Sequence, residues 1–206
     1  MADYLAGVRG QHPLYYAKPV PPFGDLDAPL LIVGLAPGMH GANRTGRPFT
    51  GDFAGILLYQ TLAELGLGTQ PASVAANDDL KLLGVRITNA VRCLPPQNKP
   101  TPAEIRECNG FLRAEIQAMT RLRAIVALGR IAHDAVLDAV GHRRAAAVFA
   151  HGAQHALAQA PALFDSYHCS RYNTQTRRLT APMFKEVLAA AARCAQLVAG
   201  ANADGG

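Results

Sequence analysis

The chain has 206 residues, of which 50% are hydrophobic and 17% are charged. That length allows one domain with a buried core, and the apolar fraction is too high for a disordered chain. No uninterrupted apolar run approaches the ~18 residues of a membrane-spanning helix, and the N-terminus lacks the apolar stretch of a signal peptide. We therefore expect a single cytoplasmic domain over residues 1–206 with no membrane contact.

The excess of basic residues has two explanations, a nucleic acid partner or the codon usage of a GC-rich genome. The 20 basic residues outnumber the 15 acidic ones, which gives a formal net charge of +5. Most of the basic residues are arginine, whose planar guanidinium binds phosphate through two parallel hydrogen bonds. GC-rich codon usage would produce the same excess of arginine without a functional reason.

The apolar pattern predicts alternating strands and helices. Short apolar runs predict buried strands, and apolar residues three or four positions apart predict helices. The predicted strands are 29–34, 85–91, 123–129 and 163–168, and the predicted helices are 51–65, 101–120, 131–140 and 181–198. Residues 35–50 and 95–101 are predicted loops, residues 1–28 an extended N-terminal arm, and residues 200–206 a frayed tail.

This order of elements predicts an α/β fold with a parallel sheet that helices cover on both faces. Right-handed crossovers place the loop after each strand at one edge of the sheet, where ligands bind in open α/β folds. The rule brings four segments together: GLAPGMHGANRTGRPFTGD, NAVRCLPPQNKP, LGRIAH and YHCSRYNTQTRR.

The first of these segments offers a glycine-rich turn and a loop aromatic. Residues 34–38, Gly-Leu-Ala-Pro-Gly, directly follow a strand, so their backbone N–H groups suit an anion or a carbonyl. The same pattern suits an ordinary tight turn. Phe49 lies between a proline and a threonine rather than on an apolar face. It is therefore either a core plug or a platform on which a planar ring stacks.

The last segment combines a strand-end histidine with basic residues. His168 suits a donor to a developing negative charge, or a histidine that bonds to the backbone. The residues after it suit a surface that grips a phosphate backbone and wedges into it, or a solvated loop; they are Arg171, Tyr172, Asn173, Arg177 and Arg178. Ser170 with His168 is a rival nucleophile–base pair, but no Gly-x-Ser-x-Gly elbow surrounds it.

Five strings carry a resemblance to a known family: GLAPG, HGANRTGRPFTGD, TNAVRCLPPQNKPTP, LGRIAHDA and SYHCSRYNTQT. They resemble the uracil-DNA glycosylase superfamily, and within it the type B, or family 5, enzymes, over residues 19–184. The resemblance implies a three-layer α/β/α sandwich around a four-stranded parallel sheet. It also implies a monomeric DNA repair enzyme that hydrolyses the N-glycosidic bond of uracil, hypoxanthine or other damaged bases and leaves an abasic site.

The resemblance also assigns roles to residues. A base flipped out of duplex DNA would stack on Phe49 and meet the amide of Asn89, while His168 stabilises the departing anion. The catalytic candidates are Asn89, His168 and Asp52. The base-binding candidates are Gly34, Leu35, Ala36, Pro37, Gly38, Asn43, Phe49 and Asn98. The DNA-binding candidates are Arg171, Tyr172, Asn173, Arg177 and Arg178.

The residue that holds the attacking water is left open. The narrow uracil enzymes carry an acidic residue after the strand-end glycine, where this chain has Leu35. Asn43, Asp52 and Asn98 are the polar candidates, and Asp52 suits a helix N-cap equally well. The alternative to an enzyme is a silent member of the same fold that binds damaged DNA without releasing a base.

The family also holds a 4Fe–4S cluster with four cysteines. Cys93 and Cys108 match the second pair of that pattern, but no cysteine precedes Cys93 in this sequence. Cys169 and Cys194 lie at positions that do not match. Because such a cluster normally takes four thiolates, the resemblance leaves cluster binding open.

Overall fold

The protein folds around a five-stranded sheet, and the computed structural model describes residues 2–198. The strands of that range are β1 (Leu30–Gly34), β2 (Val85–Asn89), β3 (Ala124–Leu128), β4 (Gln154–His155) and β5 (Ala162–Ser166), in the order β2-β1-β3-β5-β4. Four strands are parallel, and β4 runs antiparallel to β5 at the edge. The α/β class is confirmed, while the sheet gains β4, which is too short for an apolar repeat to show.

The described range holds seven α-helices and two short 3-10 turns. The helices are α1 (Ala2–Gln11), α2 (Ala42–Thr45), α3 (Phe53–Glu64), α4 (Pro102–Ala118), α5 (Arg130–Val140), α6 (Arg171–Gln175) and α7 (Ala181–Cys194). The turns are Pro96–Asn98 and Arg144–Ala146. The predicted start of α4 is confirmed, since Thr101 and Glu104 form a reciprocal capping box. The predicted tail at residues 200–206 lies outside the described residues.

Helices cover the sheet on both faces, which makes a three-layer sandwich. Alternate residues of β1 point to opposite faces, so Leu30 and Ile32 join one core while Leu31 and Val33 join the other. The first core packs the sheet against α3 and α7, and the second packs it against α4 and α5. Every residue of β1 is buried. This burial on both faces explains why the predicted strand is an unbroken apolar run.

The prediction of an extended arm over residues 1–28 is wrong in its first half. Ala2–Gln11 forms helix α1, whose Leu5 and Val8 pack with Leu94 in a small third core. Only after α1 does the chain run extended, and there Phe23 pairs with Ile87 of β2. Two buried apolar residues make too short a repeat to indicate a helix, and their partner Leu94 lies far along the chain.

Two other predicted segments are corrected, and one helix ends early. The predicted loop 35–50 contains α2, and the predicted loop after His168 contains α6. The hydroxyl of Ser170 caps α6 by accepting a hydrogen bond from the backbone of Asn173. Helix α7 ends at Cys194 because Gln196 takes a left-handed conformation with φ of 59°.

None of the described helices is long and apolar enough to cross a membrane.

Candidate active site

A cavity of about 170 Å³ lies at the C-terminal ends of the parallel strands. Its lining comes from three of the four predicted segments together with Ala54 of α3, and consists of Leu35, Ala36, Gly38, Ala42, Phe49, Asp52, Ala54, Asn89, Asn98 and His168. The LGRIAH segment supports the site from behind, since Gly129 lies next to His168. A larger cleft of about 570 Å³ at the opposite end of the sheet, near Pro29 and Gly84, contains none of the predicted site residues.

Asp52 both caps a helix and lines the cavity. Its Oδ1 accepts a hydrogen bond of 3.0 Å from the backbone N–H of Gly55 and so caps α3. Its Oδ2 lies beside Gly38 and Gly41, and a Cβ on Gly41 would lie 2.4 Å from it. Burial raises the pKa of Asp52, and hydrogen bonds from Gly55 and Ala54 partly offset that rise. The capping and catalytic interpretations are therefore compatible.

Phe49 forms one wall of the cavity and is held in a strained backbone conformation. Its φ is 54°, in the left-handed region that non-glycine residues rarely adopt, and its side chain is 6% exposed. The ring lies over Gly34, where an added Cβ would lie 2.5 Å from Phe49 Cζ. Phe49 belongs to the apolar core and also lines the cavity, a position compatible with both the core and the stacking interpretation.

Asn89 carries an unsatisfied polar atom at the edge of the cavity. It is the last residue of β2 and is 6% exposed. Its Oδ1 is buried and has no hydrogen-bond partner among residues 2–198. Buried polar atoms in proteins are nearly always paired, so an orphan atom on a cavity wall indicates a ligand. Gly34 leaves room for it, since a Cβ there would lie 2.4 Å from that oxygen.

His168 faces Phe49 across the cavity as a neutral imidazole. The two ring centroids are 6.0 Å apart and the ring planes differ by 29°. Burial lowers the pKa of His168 to about 4, so the ring is uncharged at neutral pH and keeps one N–H donor. The side-chain amide of Asn173 donates a hydrogen bond of 2.8 Å to the His168 carbonyl oxygen and ties the strand end to α6.

The basic residues form an exposed surface on and after α6. The side chain of Tyr172 is 70% exposed, and both Arg171 and Arg178 are exposed beside it. The guanidinium of Arg171 lies over the ring of Phe53 at 5.1 Å, and that of Arg178 over Tyr167 at 4.4 Å. Such cation–π contacts hold the charges in place while their polar edges stay open to solvent.

Several predicted site residues lie apart from the cavity lining. Asn43 is buried within α2 and donates a 3.5 Å hydrogen bond to the Met39 carbonyl oxygen, while Ala42 beside it lines the cavity. Gly34 lies beneath the lining, and Pro37 is not part of it. The prediction missed Ala42 and Ala54, because alanine carries no chemical signal in a sequence. Only their helical positions could have indicated them.

The described cysteines do not fit a 4Fe–4S cluster. Burial and then the neighbouring thiol of Cys108 raise the pKa of Cys93, so these two thiols lie close together. Cys169 is fully buried in an apolar core, and Cys194 is exposed on α7. Residues 2–198 thus bring two thiols together where a cluster takes four.

Another group of metal-ligand residue types forms a hydrogen-bonded network. Asp165 Oδ1 lies 2.7 Å from His133 Nδ1, and Asp165 Oδ2 lies 2.9 Å from His155 Nε2. His133 Nε2 is 3.0 Å from the carbonyl oxygen of Ala147. Because these groups bond to one another, and none of them lines the cavity, we interpret the network as structural.

The fold and the site together define a class of protein. It is a three-layer α/β sandwich with a small polar cavity at the strand ends, beside a basic surface. A family model described as the Uracil DNA glycosylase superfamily matches residues 21–192. The chain therefore belongs to the uracil DNA glycosylase superfamily, as its motifs indicate.

The chain is also similar to curated relatives over most of its length. It is 54% identical to a type-5 uracil-DNA glycosylase of Thermus thermophilus, over 89% of this chain and 83% of the relative. It is 47% identical to a type-5 uracil-DNA glycosylase of Pyrobaculum aerophilum, over 86% and 77% of the two chains. A type-4 uracil-DNA glycosylase of Archaeoglobus fulgidus is 38% identical over 58% of this chain and 52% of the relative. The resemblance to the family 5 enzymes is confirmed.

Proposed function

We propose that the protein is a uracil-DNA glycosylase that hydrolyses the N-glycosidic bond of uracil in DNA and leaves an abasic site. The observation that carries the proposal is the convergence of Asp52, Asn89 and His168 on one cavity with Phe49 as its wall. These residues come from three distant segments of the chain. The type-5 uracil-DNA glycosylases to which the chain is similar support the same activity.

The cavity suits a single base that has left the DNA stack. The target atom of a base is hidden inside a duplex, so the enzyme must flip the nucleotide out at a cost of a few kcal/mol. The extruded ring stacks on Phe49, a contact worth ~1–3 kcal/mol. The amide of Asn89 then pairs with the edge of the base, since an amide offers both a donor and an acceptor. Hypoxanthine and other damaged bases with a similar edge are further substrates of this proposal.

The leaving base is stabilised as an anion. Cleavage of the glycosidic bond builds negative charge on the base and positive charge on the sugar. In this proposal neutral His168 donates its N–H to the base oxygen, and the backbone N–H groups of Leu35 and Ala36, two residues that line the cavity, are further donors. Donors that are fixed before the reaction stabilise such charge without reorganisation, and one of them is worth ~10²–10³ in rate.

Asp52 holds the attacking water in this proposal. Asp52 lines the cavity, and its Oδ1 is fixed by the α3 cap while its Oδ2 packs beside Gly38 and Gly41, so the carboxylate cannot rotate freely. Asp52 takes the place of the acidic residue that Leu35 replaces in the narrow uracil enzymes. Its negative charge also favours the positive charge that develops on the sugar. Asn98 lines the cavity as well, but it is exposed and lies on a 3-10 turn.

The surface around α6 holds the DNA. Arg171, Arg177 and Arg178 bind backbone phosphates, and exposed Tyr172 enters the stack that the flipped base has left. Asn173 has a different role from the DNA contact that its position predicts, since its amide fixes the His168 carbonyl. Ser170 caps α6, which leaves it no role as a nucleophile.

An oligonucleotide assay tests the proposal. Duplexes with one uracil, one hypoxanthine or no lesion are incubated with the protein, and abasic sites are revealed by alkaline cleavage. We expect cleavage at the lesion, with Asn89→Ala and His168→Ala each at least about 100-fold slower. Glu64→Gln, at the other end of α3, is the control and should excise at the wild-type rate. Lesion binding without alkali-labile sites would assign the protein to silent damage binding instead.

A further inference from the structure

The segment that joins α3 to β2 packs against the loop that carries Phe49. We call residues 73–80 of this connection the strap. Its base is closed by pairing of Gly68 with Leu82 and by hydrogen bonds between Thr69 and Lys81. None of the family strings includes the strap.

Arg47 links the strap to the Phe49 loop from a buried position. Its guanidinium donates hydrogen bonds to the hydroxyl of Ser73 at 3.0 Å, to the carbonyl oxygen of Ala76 at 2.7 Å, and to the carboxylate of Asp78. The guanidinium also lies over the ring of Phe23, with its Cζ 4.3 Å from the ring centroid. A buried arginine with this many partners fixes the backbone on which it stands.

The residue on the other side of Phe49 is held by the same strap. The hydroxyl of Thr50 lies 2.7 Å from that of Ser73, so Ser73 contacts both Arg47 and Thr50. Tyr59 adds a third anchor by donating a 2.7 Å hydrogen bond to the Pro48 carbonyl oxygen. The left-handed backbone of Phe49 is thus fixed from both sides.

The strap is itself organised by Asp78. Besides binding Arg47, its carboxylate accepts hydrogen bonds from the backbone N–H groups of Val74, Ala75 and Leu80. Although burial raises its pKa, the hydrogen bonds from Arg47 and the three backbone donors lower it to about 2. The carboxylate is therefore ionised at neutral pH.

We propose that Asp78, Ser73 and Arg47 are positioning residues that hold the ring of Phe49 in the base-stacking orientation. The inference rests on the stacking role proposed for Phe49. A left-handed phenylalanine is a costly conformation that persists only where the surroundings over-determine it. The strap supplies that constraint from a part of the sequence outside the motifs. Without the contacts of Arg47, Ser73 and Asp78, the ring leaves the place where the flipped base must stack.

A double-mutant cycle tests this inference. Single-turnover excision of uracil is measured for wild type, Asp78→Asn, Phe49→Ala and the double variant. We expect Asp78→Asn to slow excision at least about tenfold in the wild-type background and less than about twofold when Phe49 is alanine. Equal losses in both backgrounds would reduce Asp78 to a purely structural role and overturn the inference.

Milder variants and a control keep the test decisive. Ser73→Ala and Arg47→Lys follow the same cycle if Asp78→Asn fails to fold, and they should show the same dependence on Phe49. Asp138→Asn breaks another arginine–aspartate pair, with Arg144, that is remote from the cavity, and it should change excision in neither background. A wild-type protein that releases no uracil would overturn the proposed function itself. If the wild type is active but the losses caused by the Asp78 and Phe49 substitutions are additive, the positioning role alone is overturned and the proposed function stands.

Discussion

The carboxylate of Asp52 packs directly against the α-carbon of Gly41. A Cβ on Gly41 would lie 2.4 Å from Asp52 Oδ2 and 2.7 Å from Asp52 Cβ. Real Cβ atoms do not approach other atoms so closely, so the carboxylate holds its place only because residue 41 is glycine. The glycine of the HGAN string thus makes room for the neighbouring carboxylate.

Gly41→Ala should therefore impair catalysis by displacing Asp52. We expect at least a tenfold loss in single-turnover excision of uracil, since small misplacements of reacting groups cost large factors in rate. Gly110→Ala in α4 is the matched control, because nothing lies within 4 Å of an added Cβ there. The control should keep full activity and gain ~0.5–1 kcal/mol in the free energy of unfolding. Wild-type excision by Gly41→Ala would show that Asp52 can shift without consequence.

Asp52→Asn separates the cap from the chemistry. Asparagine still accepts the hydrogen bond from Gly55, so the free energy of unfolding should stay within ~1 kcal/mol of wild type. Excision should fall by ~10²–10⁴, because the amide cannot act as a base or neutralise the sugar cation. Thr180→Ala removes the cap of α7 and should destabilise the protein without slowing excision. An unchanged rate for Asp52→Asn would leave Asp52 as a helix cap alone.

His168 should make the folded state sensitive to acid. Its pKa is lowered to about 4 in the folded protein, from 6.5 in an unfolded chain. Between those values the unfolded state binds the proton first, so the free energy of unfolding falls as pH drops from 6.5 towards 4. Urea unfolding at pH 7 and pH 5 measures the effect, and His168→Gln should lose less stability over that interval. The same decrease in both proteins would contradict the neutral state of His168 in the folded protein.

Tyr172 should matter for duplex DNA and little for single strands. An inserted side chain offsets the loss of stacking when a base leaves a duplex, a cost of a few kcal/mol that a single strand largely avoids. We expect Tyr172→Ala to slow excision from a uracil–guanine duplex about tenfold and excision from a single strand less than twofold. Leu14→Ala, at another exposed apolar side chain outside the cavity lining, is the control. Equal losses on both substrates would indicate a different role for Tyr172.

The iron content of the purified protein tests whether Cys93 and Cys108 help to hold a 4Fe–4S cluster. Because the described residues bring only Cys93 and Cys108 together, we expect protein purified without oxygen to contain no stoichiometric iron and no visible absorbance. Cys93→Ser should then excise uracil at the wild-type rate. Brown protein with four irons per chain, bleached by that substitution, would show that a cluster forms.

The sequence by itself determined the layers of the fold and the edge at which the site lies. Unbroken apolar runs such as LLIVG are buried on both faces of a parallel sheet, and strand ends collect at one edge for topological reasons. Asp52, Asn89 and His168 could be named as catalytic candidates because the strings around them resemble a known family, and His168 also because it lies at the end of a predicted strand. These local signals depend on nearest neighbours along the chain, which a sequence shows directly.

The tertiary structure decided what each side chain does there. Only the fold shows that Asp52 both caps α3 and lines a cavity, and that Asn43 lies outside the lining. Helix α1 also escaped prediction, because Leu5 and Val8 are buried by Leu94, far along the chain. The ion pair between Arg47 and Asp78 likewise joins residues that no local pattern connects. Contacts between distant segments depend on how the whole chain packs, and packing is the information that periodicity lacks.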